Sequence, residues 1–169
     1  MRLFIAILLD EPVLDALTDF QSALWESGLR GRLAPRENLH LTLAFIGEYG
    51  NPEAVAEAMT AIPFVPFPLR LEGVGQFGDL YWAGLSESPA LSACARRLRR
   101  SLAERGIPYD RKRFSPHITL VRKAVFHGGT ALPDVAPPSG EMLVRGISLM
   151  RSERGKRGMI YTELARAGE

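Results

Sequence analysis

Cysteine and histidine are scarce in this chain, with one and three copies in 169 residues. The lone thiol, Cys94, excludes an internal disulfide and a cysteine-rich zinc site, and it fits a reducing compartment. An excess of one charge is also missing: the net charge is +2, so bulk electrostatics name no partner. No apolar run reaches membrane-spanning length. The run Leu3-Phe4-Ile5-Ala6-Ile7-Leu8-Leu9 stops at Asp10-Glu11-Pro12 without a small-residue cleavage site, so it reads as a buried strand rather than a signal peptide. A cytoplasmic location, away from any membrane, is expected. No glycine-rich loop of the kind that cradles nucleotide phosphates is present. No linker or low-complexity stretch interrupts residues 1–169, so a single domain is expected.

What is present is a dense alternation of short elements, punctuated by sixteen glycines and twelve prolines. Arg2 to Leu9 is apolar nearly throughout, as in a strand covered on both faces. Val13, Leu14, Leu17, Phe20, Leu24 and Trp25 then recur at helical spacing up to about Glu26. Leu33 begins a connection, with Pro35 to Asn38 as a turn, and Leu39 to Ile46 is a strand. Asn51 precedes a helix from Pro52, and Ser88 or Ser86 caps another that carries Leu91, Cys94, Ala95, Leu98 and Leu102. Phe67 to Val74 and Leu80 to Leu85 read as strands about a turn at Gly75 to Gly78. Phe114 to Arg122 is a strand, and His127 to Ser139 reads as a loop. Met142 to Met150 and Met159 to Leu164 form two more strands, joined by Arg151 to Gly158. The fold class is α+β: antiparallel sheets in two lobes, with helices on their outer sides.

Two of the three histidines sit in one repeated pattern, His40-Leu41-Thr42-Leu43 and His117-Ile118-Thr119-Leu120, seventy-seven residues apart. Residues two apart in a strand share a face. His40 and Thr42 therefore project together, away from Leu39, Leu41 and Leu43, and His117 and Thr119 do the same. If the two strands face one another, four polar side chains converge. Two imidazoles can hold different protonation states near neutral pH, one removing a proton while the other donates one. Threonine hydroxyls donate to non-bridging phosphate oxygens. This set suits phosphodiester cleavage with no metal and no cofactor. A zinc site would need further ligands, and Cys94 and His127 stand at no suitable spacing.

On these motifs the chain resembles the two-histidine (2H) phosphoesterases, and within them the bacterial RNA 2',3'-cyclic phosphodiesterases, historically called 2'-5' RNA ligases. The resemblance spans Arg2 to Ile7, Pro35 to Gly47, Gly73 to Gly78, Phe114 to Arg122, Ile147 to Ser152 and Gly158 to Tyr161. It implies one bilobal domain with pseudo-two-fold symmetry and the two motifs facing each other across a catalytic groove. It implies opening of a terminal 2',3'-cyclic phosphate of RNA to a 2'-phosphate, with tRNA fragments among the possible substrates, by a monomeric enzyme. His40 would then be the proton donor to O3', His117 the proton acceptor from water, and Thr42 and Thr119 the phosphate holders. Sequence chemistry alone leaves donor and acceptor interchangeable. Any ligase activity would be this chemistry reversed.

Arg122 matches a basic position of that family, although its offset of five from His117 turns it off the catalytic face of a regular strand. Phe45 and Phe77 could stack a nucleobase, with packing favoured for Phe45. Tyr81 and Trp82 read as structural and His127 as a surface residue, while the arginines from Arg96 to Arg100 either suit an anionic substrate or form a solvated helix face. Arg154, Lys156 and Arg157 either track an RNA backbone or keep a turn soluble. Two other readings stay open: a module that grips RNA phosphate without cleaving it, and a related enzyme acting on a small cyclic nucleotide.

Overall fold

The computed structural model describes residues 1–126 and 134–168. The order is β1 (Arg2–Leu8), α1 (Glu11–Glu26), β2 (Leu29–Leu33), β3 (His40–Glu48), α2 (Pro52–Thr60), β4 (Phe67–Phe77), β5 (Leu80–Leu85), α3 (Pro89–Glu104), β6 (Ile118–Phe126), β7 (Glu141–Val144), β8 (Gly146–Gly155) and β9 (Gly158–Gly168). One sheet has four strands in the order β3-β1-β8-β9, the other five in the order β2-β6-β5-β4-β7, and every pairing is antiparallel. His127, Gly128, Gly129 and Pro133 lie outside the described residues.

The apolar first strand lies between β3 and β8, so both of its edges are paired, and its two faces are buried in different clusters. Leu3, Ile5 and Ile7 enter the main core, while Phe4 and Ala6 join Met150 in a smaller cluster beneath the groove. Pro52 and Pro89 open their helices where a missing N–H costs nothing, and Asn51 Oδ1 and Ser88 Oγ each accept a bond from the third residue on. Ser88, not Ser86, is the cap. α1 packs on β2, β6 and β7, α2 on β8 and β9, and α3 on β3 and β4. Gln21, buried in α1, donates from Nε2 to the carbonyls of Ala34 (3.0 Å) and Leu120 (2.9 Å), which clamps the helix to the second motif strand.

Four expectations change. Leu29–Leu33 is a strand rather than a connection: it is the edge of the five-stranded sheet, where backbone pairing with β6 suffices despite Gly31 and two arginines. β6 starts at Ile118, because Pro116 has no N–H for a ladder, and it continues to Phe126 along β2. β4 runs through Phe77, so that residue ends a strand and the turn is Gly78-Asp79. Finally, the stretch from Met142 to Met150 divides at Arg145 between the two sheets, and β8 and β9 project as a hairpin with only Lys156-Arg157 at its tip. The hairpin residues Glu153 and Arg154 are polar because they face solvent, not because the strand has ended.

Gly75 matters for packing rather than for its torsions. A Cβ there would stand 2.3 Å from the Trp82 ring. Gly75→Ala should lower stability by about 1–3 kcal/mol through overpacking. A thermal melt reads this as roughly 2–4 °C for each kcal/mol.

Candidate active site

Both motif histidines are oriented by the same local device. His40 Nδ1 lies 2.7 Å from the carbonyl of Asn38, and His117 Nδ1 lies 2.7 Å from the carbonyl of Ser115. A carbonyl only accepts, so each Nδ1 carries the proton and each Nε2 is left for chemistry. Nε2 of His40 is 2.9 Å from Thr42 Oγ1. Asn38 is itself held, its Nδ2 donating to the Met159 carbonyl at 2.9 Å.

Each imidazole also rests on aromatic rings of its own sheet. His40 packs at 4.9 Å from Phe4 and edge-on at 5.4 Å from Tyr161. His117 packs edge-on at 5.1 Å from Phe77 and at 6.3 Å from Trp82. Trp82 is thus no core residue. Its strand neighbours Tyr81 and Ala83 are buried, and the alternation turns Trp82 toward Thr119, its partner across β5–β6.

The two motif strands, β3 and β6, touch where the sheets meet, and a groove of about 1040 Å³ opens between them. His40, Thr42, His117, Thr119, Arg122, Phe45 and Phe77 all line it. Arg122 reaches the groove because β6 bulges: Tyr81 faces Val121 while Trp82 faces Thr119, and Leu120 and Val121 are both fully buried. The phase of the strand therefore slips by one residue. β3 does the same, with Leu43 and Ala44 both buried, which returns Phe45 to the groove face. Phe45 and Arg122 hold equivalent places, each five residues after its histidine. Phe45 stacks on Phe4 at 6.0 Å with the Arg2 guanidinium 5.2 Å above it, while Phe77 is 47% exposed.

Arg99 is the residue that sequence reasoning missed. β3 is an edge strand, and its outward carbonyls need partners. Arg99 Nε donates to Leu43 O (3.2 Å), its Nη1 donates to Lys112 O (2.7 Å), and the N–H of Asp110 donates to Phe45 O (2.7 Å). The approach to His117 is thereby tied to the strand that carries His40. Arg99 flanks the Leu91, Ala95, Leu98 and Leu102 stripe of α3, and that flanking position was the available signal.

Electrostatics act on the His40 imidazole. Burial pushes the pKa of His40 below the ordinary imidazole value, and the positive charges of Arg122 and His117 push the same way against the Asn38 carbonyl. Burial drives the Cys94 thiol up to about 11, so it stays protonated at neutral pH. Among the described residues no three His, Cys, Asp or Glu side chains gather as metal ligands, and no helix is long and apolar enough to cross a membrane.

The family model of the 2'-5' RNA ligase superfamily matches residues 10–156. The chain belongs to that superfamily. Among its relatives in the superfamily, an RNA 2',3'-cyclic phosphodiesterase of Archaeoglobus fulgidus is 31% identical, covering 97% of this chain and 98% of the relative. One of the same name from Thermus thermophilus is 34% identical over 97% and 88%. The crystal structure of E. coli LigT in apo form superposes with a TM-score of 0.83 at 30% identity, over 99% of this chain and 96% of the other. The 2H phosphoesterase membership and the bilobal α+β architecture expected from the motifs both hold.

Proposed function

We propose that this member of the superfamily is a metal-independent RNA 2',3'-cyclic phosphodiesterase that leaves a 2'-phosphate, working as a monomeric single domain. The observation that carries the reading is the pair of tautomer-locked imidazoles, each presenting Nε2 to one groove beside a threonine. The names of the two relatives point to the same substrate.

In the proposed step His117 Nε2 takes a proton from water as its oxygen bonds to phosphorus. The P–O3' bond breaks, and His40 Nε2–H supplies the proton that O3' needs. Thr42, Thr119 and Arg122 hold the non-bridging oxygens, and Phe45 and Phe77 flank the terminal nucleoside. With a 5'-hydroxyl in place of water, the same exchange would give a 2'-5' linkage. Burial first and then the charge of Arg122 depress the pKa of His40, and a bound phosphate, by offsetting that charge, would help the imidazole hold the proton it donates.

Incubating a cyclic-phosphate-ended oligonucleotide with the protein in excess EDTA should yield a 2'-phosphate end. A cyclic end that survives at high protein concentration would instead mark a phosphate-binding module. Turnover confined to free cyclic nucleotides would mark the small-molecule enzyme.

A further inference from the structure

The bulges of β3 and β6 leave Leu43 and Leu120 without partners in the β1 and β5 ladders, each three residues after its histidine. Both carbonyls are met by a side chain that reaches in from a helix. Arg99 Nε of α3 donates to Leu43 O at 3.2 Å, and Gln21 Nε2 of α1 donates to Leu120 O at 2.9 Å. The second bond of each side chain crosses to the other motif. Arg99 Nη1 donates to Lys112 O (2.7 Å) on the approach to His117, and Gln21 Nε2 donates to Ala34 O (3.0 Å) on the approach to His40. We propose that Gln21 and Arg99 are a matched pair of positioning residues. Each ties the bulge beside one motif histidine to the segment that delivers the other, and together they set how the two imidazoles stand across the groove. The proposal rests on the cyclic-phosphodiesterase reading and assigns two residues to its geometry.

The main chain repeats the pattern. The Asp110 N–H donates to Phe45 O at 2.7 Å, and the Ala34 N–H donates to Leu120 O at 2.9 Å. On both sides, then, the approach to one histidine is bound to the strand of the other by a backbone bond and a side-chain bridge. A buried bulge carbonyl left without a donor is costly, so each clamp favours the bulged over the regular strand. The bulged phase is the one that turns Phe45 and Arg122 to the groove.

Anchoring the helices is a duty that other residues already perform. α1 buries Val13, Leu17, Phe20 and Leu24, and α3 buries Leu91, Ala95, Leu98 and Leu102. Gln21 is 5% exposed, and the half-buried Arg99 guanidinium stands 5.9 Å from the Tyr109 ring and 5.5 Å from that of Phe114. Both side chains give up rotamer freedom and water to reach carbonyls beside the motifs. Arg99 also lines the groove, so a charge acting directly on the phosphate is its rival role.

The test measures kcat and KM on a cyclic-phosphate-ended oligonucleotide for Gln21→Met, Arg99→Ala and Arg99→Lys, each below its melting transition. Gln21→Met and Arg99→Ala should each lower kcat by about tenfold to a hundredfold, the scale of misplacing reacting groups by a fraction of a bond length, with KM changed less. Arg99→Lys keeps the charge but puts one ammonium in place of two separately directed N–H arms, so its kcat should stay near that of Arg99→Ala. Amide hydrogen exchange reads the clamps without turnover. The Asp110 N–H in both Arg99 variants and the Ala34 N–H in Gln21→Met should exchange severalfold faster than in wild type. Wild-type exchange at these amides overturns the proposal, and so does a wild-type kcat in Gln21→Met or Arg99→Ala. A wild-type kcat in Arg99→Lys overturns it in favour of a charge that acts on substrate. If the wild-type protein leaves the cyclic end intact, the cyclic-phosphodiesterase reading fails, while faster exchange in the variants still supports the clamps.

Discussion

Replacing His40 or His117 by alanine should each lower kcat/KM on a cyclic-phosphate-ended oligonucleotide by about a hundredfold to ten-thousandfold. Each substitution removes an Nε2 that the Asn38 or Ser115 carbonyl holds in one tautomer, and no neighbouring group offers a replacement at that place. The two losses should not add, because proton removal and proton donation serve one displacement. A diester with an activated aryl leaving group separates the roles. Its phenolate departs without a proton, so it should restore much of the activity of His40→Ala and none of His117→Ala. Full activity of either variant on the natural end would sink the mechanism. Circular dichroism and a thermal melt check that each variant is folded.

Arg122→Ala should cost about tenfold to a hundredfold in kcat/KM, the scale of losing a charge-assisted phosphate contact. It should also move the pH profile to higher pH. The sign follows from the free enzyme, where the charge of Arg122 is one cause of the lowered pKa of His40. Removing that charge lets the imidazole keep its proton to higher pH. If His40 is the acid, activity is regained on the alkaline side; if it is the base, activity is lost on the acid side. Either way the deficit is larger at low pH than at high pH. A deficit equal at all pH values would mean that Arg122 acts on substrate alone.

Much of this could be read from residues alone. The His-x-Thr alternation marked both faces that line the groove, Asn51 announced its cap and Ser88 or Ser86 the other, and the two-sided apolar run of β1 announced its covered place. The missed features share a cause: they depend on backbone partners rather than side-chain pattern. β2 exists because β6 offers a ladder, and the β8–β9 arm extends past the core on the ladder between its two strands. The bulges at Leu43-Ala44 and Leu120-Val121 show in sequence only as two adjacent apolar residues, which an unbroken alternation also tolerates at a covered strand. Their effect on the site is large, since they decide that Arg122 and Phe45 face the groove.

The route of the chain through the two sheets has one more consequence. The four-stranded sheet draws on residues 2–8 and 40–48 near one terminus and on 146–168 near the other, while the five-stranded sheet is assembled from the stretch between and from β2. Cutting the backbone anywhere from residue 9 to residue 145 therefore leaves strands of the His40 wall on both fragments. Neither fragment could be an autonomous half-enzyme, and a split version would regain activity only by reassembling that wall across the break.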